Sequence, residues 1–172
     1  MIQLEQECND MDGKKSISST LNVGDQAPDF ELSSQSGEKV RLRDFKGARP
    51  VVVYFYPKDN TPGCTAEACS FRDQYENFKE MSAEVIGISS DSPQSHENFS
   101  GKYQLPFVLL CDEDQRVRKL YGVRSNLFGL FPGRFTFVID SHGIIQHIFA
   151  SQLQAKRHVS EALNILRGLA PA

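Results

Sequence analysis

Apolar positions along this chain switch between two periods. Val51 to Phe55 is an unbroken β-branched and aromatic run, the pattern of a central strand buried on both faces. From Pro62 to about Met81 the period lengthens: Ala68, Phe71, Tyr75 and Phe78 step by three and four, predicting one apolar stripe on a helix. Pro62 suits its first position and Thr61 its N-cap. Val85 to Ser89 predicts a second central strand. Asp91 or Ser92 caps a helix that runs from Pro93 through His96 and Phe99 to Tyr103. Phe107 to Leu110 predicts a third strand, and Asp114 to Tyr121 a short helix stopped by Gly122. Phe135 to Ile139 and Ile144 to Phe149 form a hairpin across Asp140-Ser141-His142-Gly143. Gln154 to Leu169 is the closing helix, with Val159, Ala162, Leu163, Leu166 and Leu169 on one side. Upstream, Phe30 to Leu32 and Val40 to Leu42 flank Ser33 to Gly37 as a further hairpin, and Asp44 to Lys46 predicts one helical turn.

Strands alternating with helices imply parallel neighbours, so the fold class is α/β. The order β-α-β, α-β, β-β-α is that of a thioredoxin-like fold with an N-terminal β-hairpin added. Composition changes this picture little. A chain of 172 residues suits one domain, here expected over residues 21–172, and is long enough to bury a core without metal or disulfide staples. A net charge of −3 gives no reason to expect nucleic acid or an anionic membrane as partner, and no apolar run reaches bilayer length. Met1 to Thr20 carries Glu5, Glu7, Asp10, Asp12, Lys14 and Lys15, with no apolar core and no arginine. Neither a secretory signal nor a transit peptide has that composition, so a disordered tail and a cytoplasmic location are expected.

The candidate chemistry lies where strand turns into helix. Between Phe55 and the helix runs Tyr56-Pro57-Lys58-Asp59-Asn60-Thr61-Pro62-Gly63-Cys64, which puts Cys64 in the first helical turn. Unpaired N–H groups and the positive end of the helix dipole favour thiolate over thiol there. Of the other cysteines, Cys69 lies five residues on, Cys111 reads as a packed thiol after a strand, and Cys8 as incidental in the tail. The scattered His96, His142, His147 and His158 make no persuasive metal set with one close cysteine pair. Arg72 reads as a surface residue paired with an acid such as Glu76, and Arg49 as a loop residue. Leu127, Phe128, Leu130 and Phe131 read equally as a packed loop or as an apolar rim.

Pro57-x-x-x-Thr61-x-x-Cys64 resembles the active-site motif of the peroxiredoxins. Cys64-Thr65-x-Glu67-x-Cys69 narrows the resemblance to the peroxiredoxin Q (bacterioferritin comigratory protein) subgroup. Gly133-Arg134-x-Thr136-Phe137-Val138-Ile139-Asp140 is similar to that family's arginine-bearing strand, and Val23-Gly24-Asp25-x-Ala27-Pro28-Asp29-Phe30 to its lead-in. Ser125 to Gly129 and Gln152 to Lys156 resemble the plant-chloroplast and cyanobacterial branch most.

The resemblance implies a cofactor-free peroxidase that reduces hydrogen peroxide and organic hydroperoxides at the expense of thioredoxin or a similar dithiol, in a subgroup whose members are often monomers. It makes Cys64 the peroxidatic and Cys69 the resolving cysteine. Thr61 and Arg134 then orient and stabilise the reacting oxygens, Pro57 shields the sulfur, and the N–H groups of Gly63 and Cys64 meet substrate. Residues five apart on an intact helix are about 7.5 Å apart along its axis. A disulfide needs Cα atoms within about 6.8 Å. The start of this helix must therefore unwind if Cys64 and Cys69 are to join. The competing readings are a thioredoxin-like dithiol oxidoreductase, which would want the C-x-x-C that is absent here, and a non-catalytic binding module or chaperone indifferent to Cys64.

Overall fold

The structure is a computed structural model that describes residues 21–123 and 133–169. The expected disordered tail with Cys8, and the apolar loop centred on Leu127 and Phe128, lie outside the described residues. Seven strands form one sheet: β1 (Glu31–Ser34), β2 (Lys39–Arg41), β3 (Val51–Phe55), β4 (Glu84–Ser89), β5 (Val108–Cys111), β6 (Phe135–Ile139) and β7 (Ile145–Ala150), in the spatial order β2-β1-β5-β4-β3-β6-β7. The helices are α1 (Pro62–Asp73), α2 (Tyr75–Glu80), α3 (Pro93–Tyr103), α4 (Arg116–Leu120) and α5 (Ala155–Leu169), with a 3-10 turn at Leu42–Phe45. β3, β4 and β5 are parallel neighbours; β6 joins β3 antiparallel, β7 joins β6, and β1 joins β5. The α/β thioredoxin-like architecture with an N-terminal hairpin is the one expected.

The unbroken apolar run of β3 has a physical reason, because both of its faces are covered. Val52 and Tyr54 point into a core that also holds Cys64, Ala68, Phe71, Phe78, Phe99, Val159, Ala162 and Leu163, so α1, α2, α3 and α5 share one side of the sheet. Val51, Val53 and Phe55 point into a second core, with Phe30, Leu42, Val117, Tyr121, Phe137 and Ile145, that is covered by the lead-in and α4. Full burial of each such side chain contributes about 1.5–3 kcal/mol. A side chain at Gly87 would crowd this packing: a Cβ there would lie 2.7 Å from Leu109 and 2.8 Å from Tyr54.

The structure corrects four expectations. The helix expected from Pro62 to Met81 is two, broken at Gln74 (φ −104°, ψ 6°), although Phe71 and Phe78 still enter the same core. Arg72 does not pair with Glu76. It bonds Asp73 and donates to the Tyr103 carbonyl, while Glu76 pairs with Lys79. The short helix expected from Asp114 starts at Arg116, and Leu169 is 36% exposed instead of facing the core.

Candidate active site

β3 ends at Phe55, and the chain crosses Tyr56 to Thr61 before Pro62 opens α1. Thr61 holds the extended N-cap conformation (φ −80°, ψ 149°), yet its hydroxyl does not cap the helix; it donates to the Lys58 carbonyl at 3.0 Å. The helix ladder starts with the Thr65 N–H on the Thr61 carbonyl at 2.9 Å, so the amides of Gly63 and Cys64 face beyond the helix end. Cys64 is 1% exposed, a free thiol at the foot of the Tyr54–Phe71 core, and Cys69, half-buried on the same intact helix, is also free.

Arg134 reaches this sulfur from just before β6, on the same face of the sheet as α1 and α5. The β3–β6 register pairs Tyr54 with Thr136 and Phe55 with Phe135, which leaves Arg134 just past the last pair, across from the residues that lead to Pro57. Its Nη2 donates to Cys64 Sγ at 3.3 Å and its Nη1 to the Gly63 carbonyl at 3.4 Å. Gly63 is small by need, since a Cβ there would sit 3.0 Å from Arg134 Nη2. Nη1 also donates to Glu67 Oε2, one helical turn beyond Cys64. Burial works against the Arg134 charge, but Glu67 and Cys64 outweigh it and hold its pKa above the ordinary arginine value.

Glu67 is fully buried, and burial pushes its carboxyl up to about 8 against the pull of Arg134. Behind it, His158 of α5 is also fully buried. Its Nε2 donates to the Ser151 carbonyl at 2.9 Å, which leaves Nδ1 to accept from the Thr136 hydroxyl at 2.8 Å. Burial, with Arg134 assisting, pulls His158 down to about 4. It is neutral at physiological pH. Nδ1 lies 3.6 Å from Glu67 Oε1, beyond hydrogen-bond length, and both Glu67 Oε1 and Arg134 Nε are buried without a hydrogen-bond partner among the described residues. His158 therefore adds no positive charge beside Arg134, whose Nη2 faces the sulfur.

On the other flank of the loop, Asp59 accepts from the Tyr56 hydroxyl at 2.7 Å and from Ser95 Oγ at 2.8 Å, and its Oδ2 lies 2.8 Å from His96 Nδ1. Burial alone would raise the Asp59 carboxyl, but the hydrogen bonds led by His96 outweigh it and hold the pKa below the usual range. The Asp59 N–H donates to Asp91 Oδ2, which also takes the Ser89 hydroxyl. Asp59, Asp91 and His96 are close enough to share a cation, but these hydrogen bonds already occupy their facing oxygens. Cys111 is buried at the end of β5, where desolvation pushes its thiol up to about 11, so it is inert at neutral pH.

The sequence motif thus places Cys64, Gly63 and Arg134 in contact. Thr61 stands one turn before the sulfur and Pro57 half-buried on the approach loop, neither bonded to Cys64. Glu67, Asp59, His96 and His158 received no role from sequence. Glu67 could have been found, since Arg134 needs a counterion and Cys64 plus three is the same helix face.

This arrangement can be set beside known proteins. The AhpC/TSA family model matches residues 23–148. Peroxiredoxin Q, chloroplastic, of Oryza sativa subsp. japonica is 54% identical over 149 residues, covering 87% of this chain and 68% of its own. This chain is a peroxiredoxin of the AhpC/TSA family. Peroxiredoxin Q of Sedum lineare, also named chloroplastic, is 52% identical over 156 residues, 91% of this chain and 83% of its own. Among solved structures, the peroxidoxin BcpB of Mycobacterium tuberculosis superimposes with a TM-score of 0.80 at 36% identity, over 87% of this chain and 98% of that one. As a peroxiredoxin of the Q group the chain is a thiol-dependent peroxidase, which removes the dithiol oxidoreductase and the non-catalytic module as readings.

The relatives overturn the cytoplasmic expectation, because the plant peroxiredoxins Q it resembles are named chloroplastic. That expectation rested on the composition of residues 1–20, which speaks only for those residues.

Proposed function

We propose that Cys64 is the peroxidatic cysteine of this peroxiredoxin and Cys69 its resolving cysteine, in a plastid peroxidase recycled by a thioredoxin-like dithiol. The observation that carries this reading is the 3.3 Å contact between Arg134 Nη2 and the buried Cys64 Sγ at a helix start. The Cys64 thiolate attacks the terminal oxygen of a hydroperoxide. Its electron pair forms the S–O bond as the O–O bond breaks, and the leaving oxygen takes a proton to depart as water or alcohol. Arg134 and the amides of Gly63 and Cys64 face the region where negative charge builds up. The Thr61 hydroxyl, turned to Lys58 at rest, is free to rotate toward substrate.

The Cys69 thiolate then displaces hydroxide from the Cys64 sulfenic acid, giving a disulfide and, after protonation, water. Two electrons from the dithiol reductant restore both thiols. Closing the disulfide requires the first turns of α1 to open, which releases Gly63 and Glu67 from Arg134. Phe71 in the core and Arg72 on the Tyr103 carbonyl anchor the far end. Both thiols belong to one chain, so a monomer suffices and no partner subunit is called on. The plastid setting is supported by the names of the plant relatives.

The test is thioredoxin-coupled peroxide consumption by wild type, Cys64→Ser and Cys69→Ser. Cys64→Ser should show no turnover. Cys69→Ser should consume one equivalent of peroxide and then stall with thioredoxin as the only reductant. Residual multiple turnover in Cys64→Ser would reject the assignment of that sulfur, and unimpaired turnover in Cys69→Ser would reject Cys69.

A further inference from the structure

The β3–β6 ladder ends at the pair Phe55–Phe135. Beyond it the Tyr56 N–H continues the β3–β4 ladder to the Ile88 carbonyl, and among the described residues no backbone bond joins Tyr56 to the segment before β6. The carbonyls of Tyr56 and Gly133 are therefore left over at the point where the chain enters the site from both directions. One side chain takes both. Arg118, 5% exposed on α4, donates from Nη2 to the Tyr56 carbonyl at 2.7 Å and from Nη1 to the Gly133 carbonyl at 2.8 Å. Tyr56 immediately precedes Pro57, and Gly133 immediately precedes Arg134.

The arginine is itself held in place. The Asp112 carboxylate accepts the N–H groups of Val117 and Arg118, at 3.1 and 2.8 Å, and so starts this short helix. The buried Val117 anchors α4 in the second core, and the guanidinium lies over the Phe55 ring, 5.8 Å from its centroid. Among the described residues Arg118 makes no ion pair. A buried guanidinium without a carboxylate on its fork is costly, and an apolar residue would satisfy the core equally well. What the fork adds is a rigid planar bridge between two carbonyls.

We propose that Arg118 is a positioning residue of the peroxidase centre, tying the Tyr56–Pro57 segment to the Gly133–Arg134 segment and thereby setting where Arg134 stands relative to Cys64. The inference rests on the assignment of Cys64 and Arg134 given above. Displacement of a catalytic group by about 1 Å costs about 100-fold in rate. The effect falls on peroxide, whose breaking O–O bond needs an aligned Arg134, and not on a reagent that needs only an accessible sulfur.

The experiment compares two single-turnover rates of Cys64 in the full chain, both followed by quenched-flow mass spectrometry: oxidation by hydrogen peroxide and alkylation by iodoacetamide. In wild type a Cys64 oxidation far faster than alkylation supports the underlying site assignment by itself, and its absence would reject that assignment. Arg118→Met should lower the peroxide rate about 100-fold while alkylation falls far less. Arg118→Lys keeps the charge without the planar fork and should lie close to Arg118→Met. A folded Arg118→Met with an unchanged peroxide rate, an equal fall in both reactions, or an Arg118→Lys that behaves as wild type would each overturn the inference. So would failure of both variants to fold, which would make Arg118 a residue of the scaffold alone.

Discussion

Two buried polar networks flank the loop that carries Cys64, and they are built differently. Around Asp59 the accounts balance: both carboxylate oxygens have short partners, from Tyr56, Ser95 and His96, and the backbone of Asp59 is bonded to Asp91. Around Arg134 they do not. Glu67 Oε1 and Arg134 Nε are buried unpartnered, and His158 stops short of Glu67. A fully satisfied network fixes one arrangement, whereas an incomplete one gives up less when it is broken. The difference follows the work each side does. The Asp59 side holds Pro57 and Thr61 in register with β4 and α3, while on the proposed Cys64–Cys69 disulfide the Arg134 side is the one that releases α1 and takes it back.

Removing the charge at the centre of the incomplete network should have the largest consequence. Arg134→Gln takes away the donor to Cys64 and, on the proposed mechanism, the group facing the leaving oxygen. The expected loss in kcat/KM for hydrogen peroxide is about 100- to 1,000-fold, the usual cost of deleting one preorganised donor. Steady-state kinetics with saturating thioredoxin measure it. A loss below tenfold would mean that the helix amides carry the stabilisation alone.

The satisfied network should respond in stability before activity. Asp59→Asn keeps shape but replaces an acceptor pair by one acceptor and one donor, so either Tyr56 or the pair Ser95 and His96 faces an N–H. Breaking a buried, hydrogen-bonded carboxylate of this kind costs about 2–4 kcal/mol. Urea unfolding of the reduced protein at neutral pH should show that loss. An unchanged midpoint would remove the claim that this side is the rigid one.

How much of this contrast could be read from the chain depends on whether the physics is local. The start of α1 is local: a proline at its first position, an extended Thr61 before it, and a strand that ends just upstream. So are the five apolar residues of β3, whose two-sided burial is written in their continuity. The break at Gln74 is not, since Phe71, Tyr75 and Phe78 keep a helical stripe whether or not the axis bends. Nor is the pairing of Ser33 with Cys111, which joins a short hairpin to a strand far along the chain. Arg118 was hidden by company: between Arg116 and Lys119 it looks like part of a solvated face, and only the fold turns it inward. Glu67 was hidden by type, because glutamates are almost never fully buried unless paired. Its partner lies 67 residues away.

The effect that vanishes altogether at acid pH is the one that separates the two networks most sharply. Glu67→Gln is the same carboxyl-to-amide exchange as Asp59→Asn, made in the incomplete network. A carboxyl raised by burial to about 8 is protonated in the native state and ionised in the unfolded chain between about pH 4.5 and 8. Over that window the native state binds the extra proton, so stability falls as pH rises; the contribution is complete below pH 4.5 and gone above about 8. The slope is at most about 1.4 kcal/mol per pH unit. Glutamine does not titrate, so the variant should match wild type near pH 4.5 and become progressively the more stable of the two toward pH 8. Activity should follow the same axis. Ionised Glu67 competes with the Cys64 sulfur for the Arg134 charge, so the wild-type peroxide rate should decline above pH 8 and the variant's should not. Urea unfolding and single-turnover oxidation across pH 4.5–9 test both halves. A stability difference that stays constant with pH would show that Glu67 is ionised throughout beside Arg134, and that the two networks differ in completeness but not in charge.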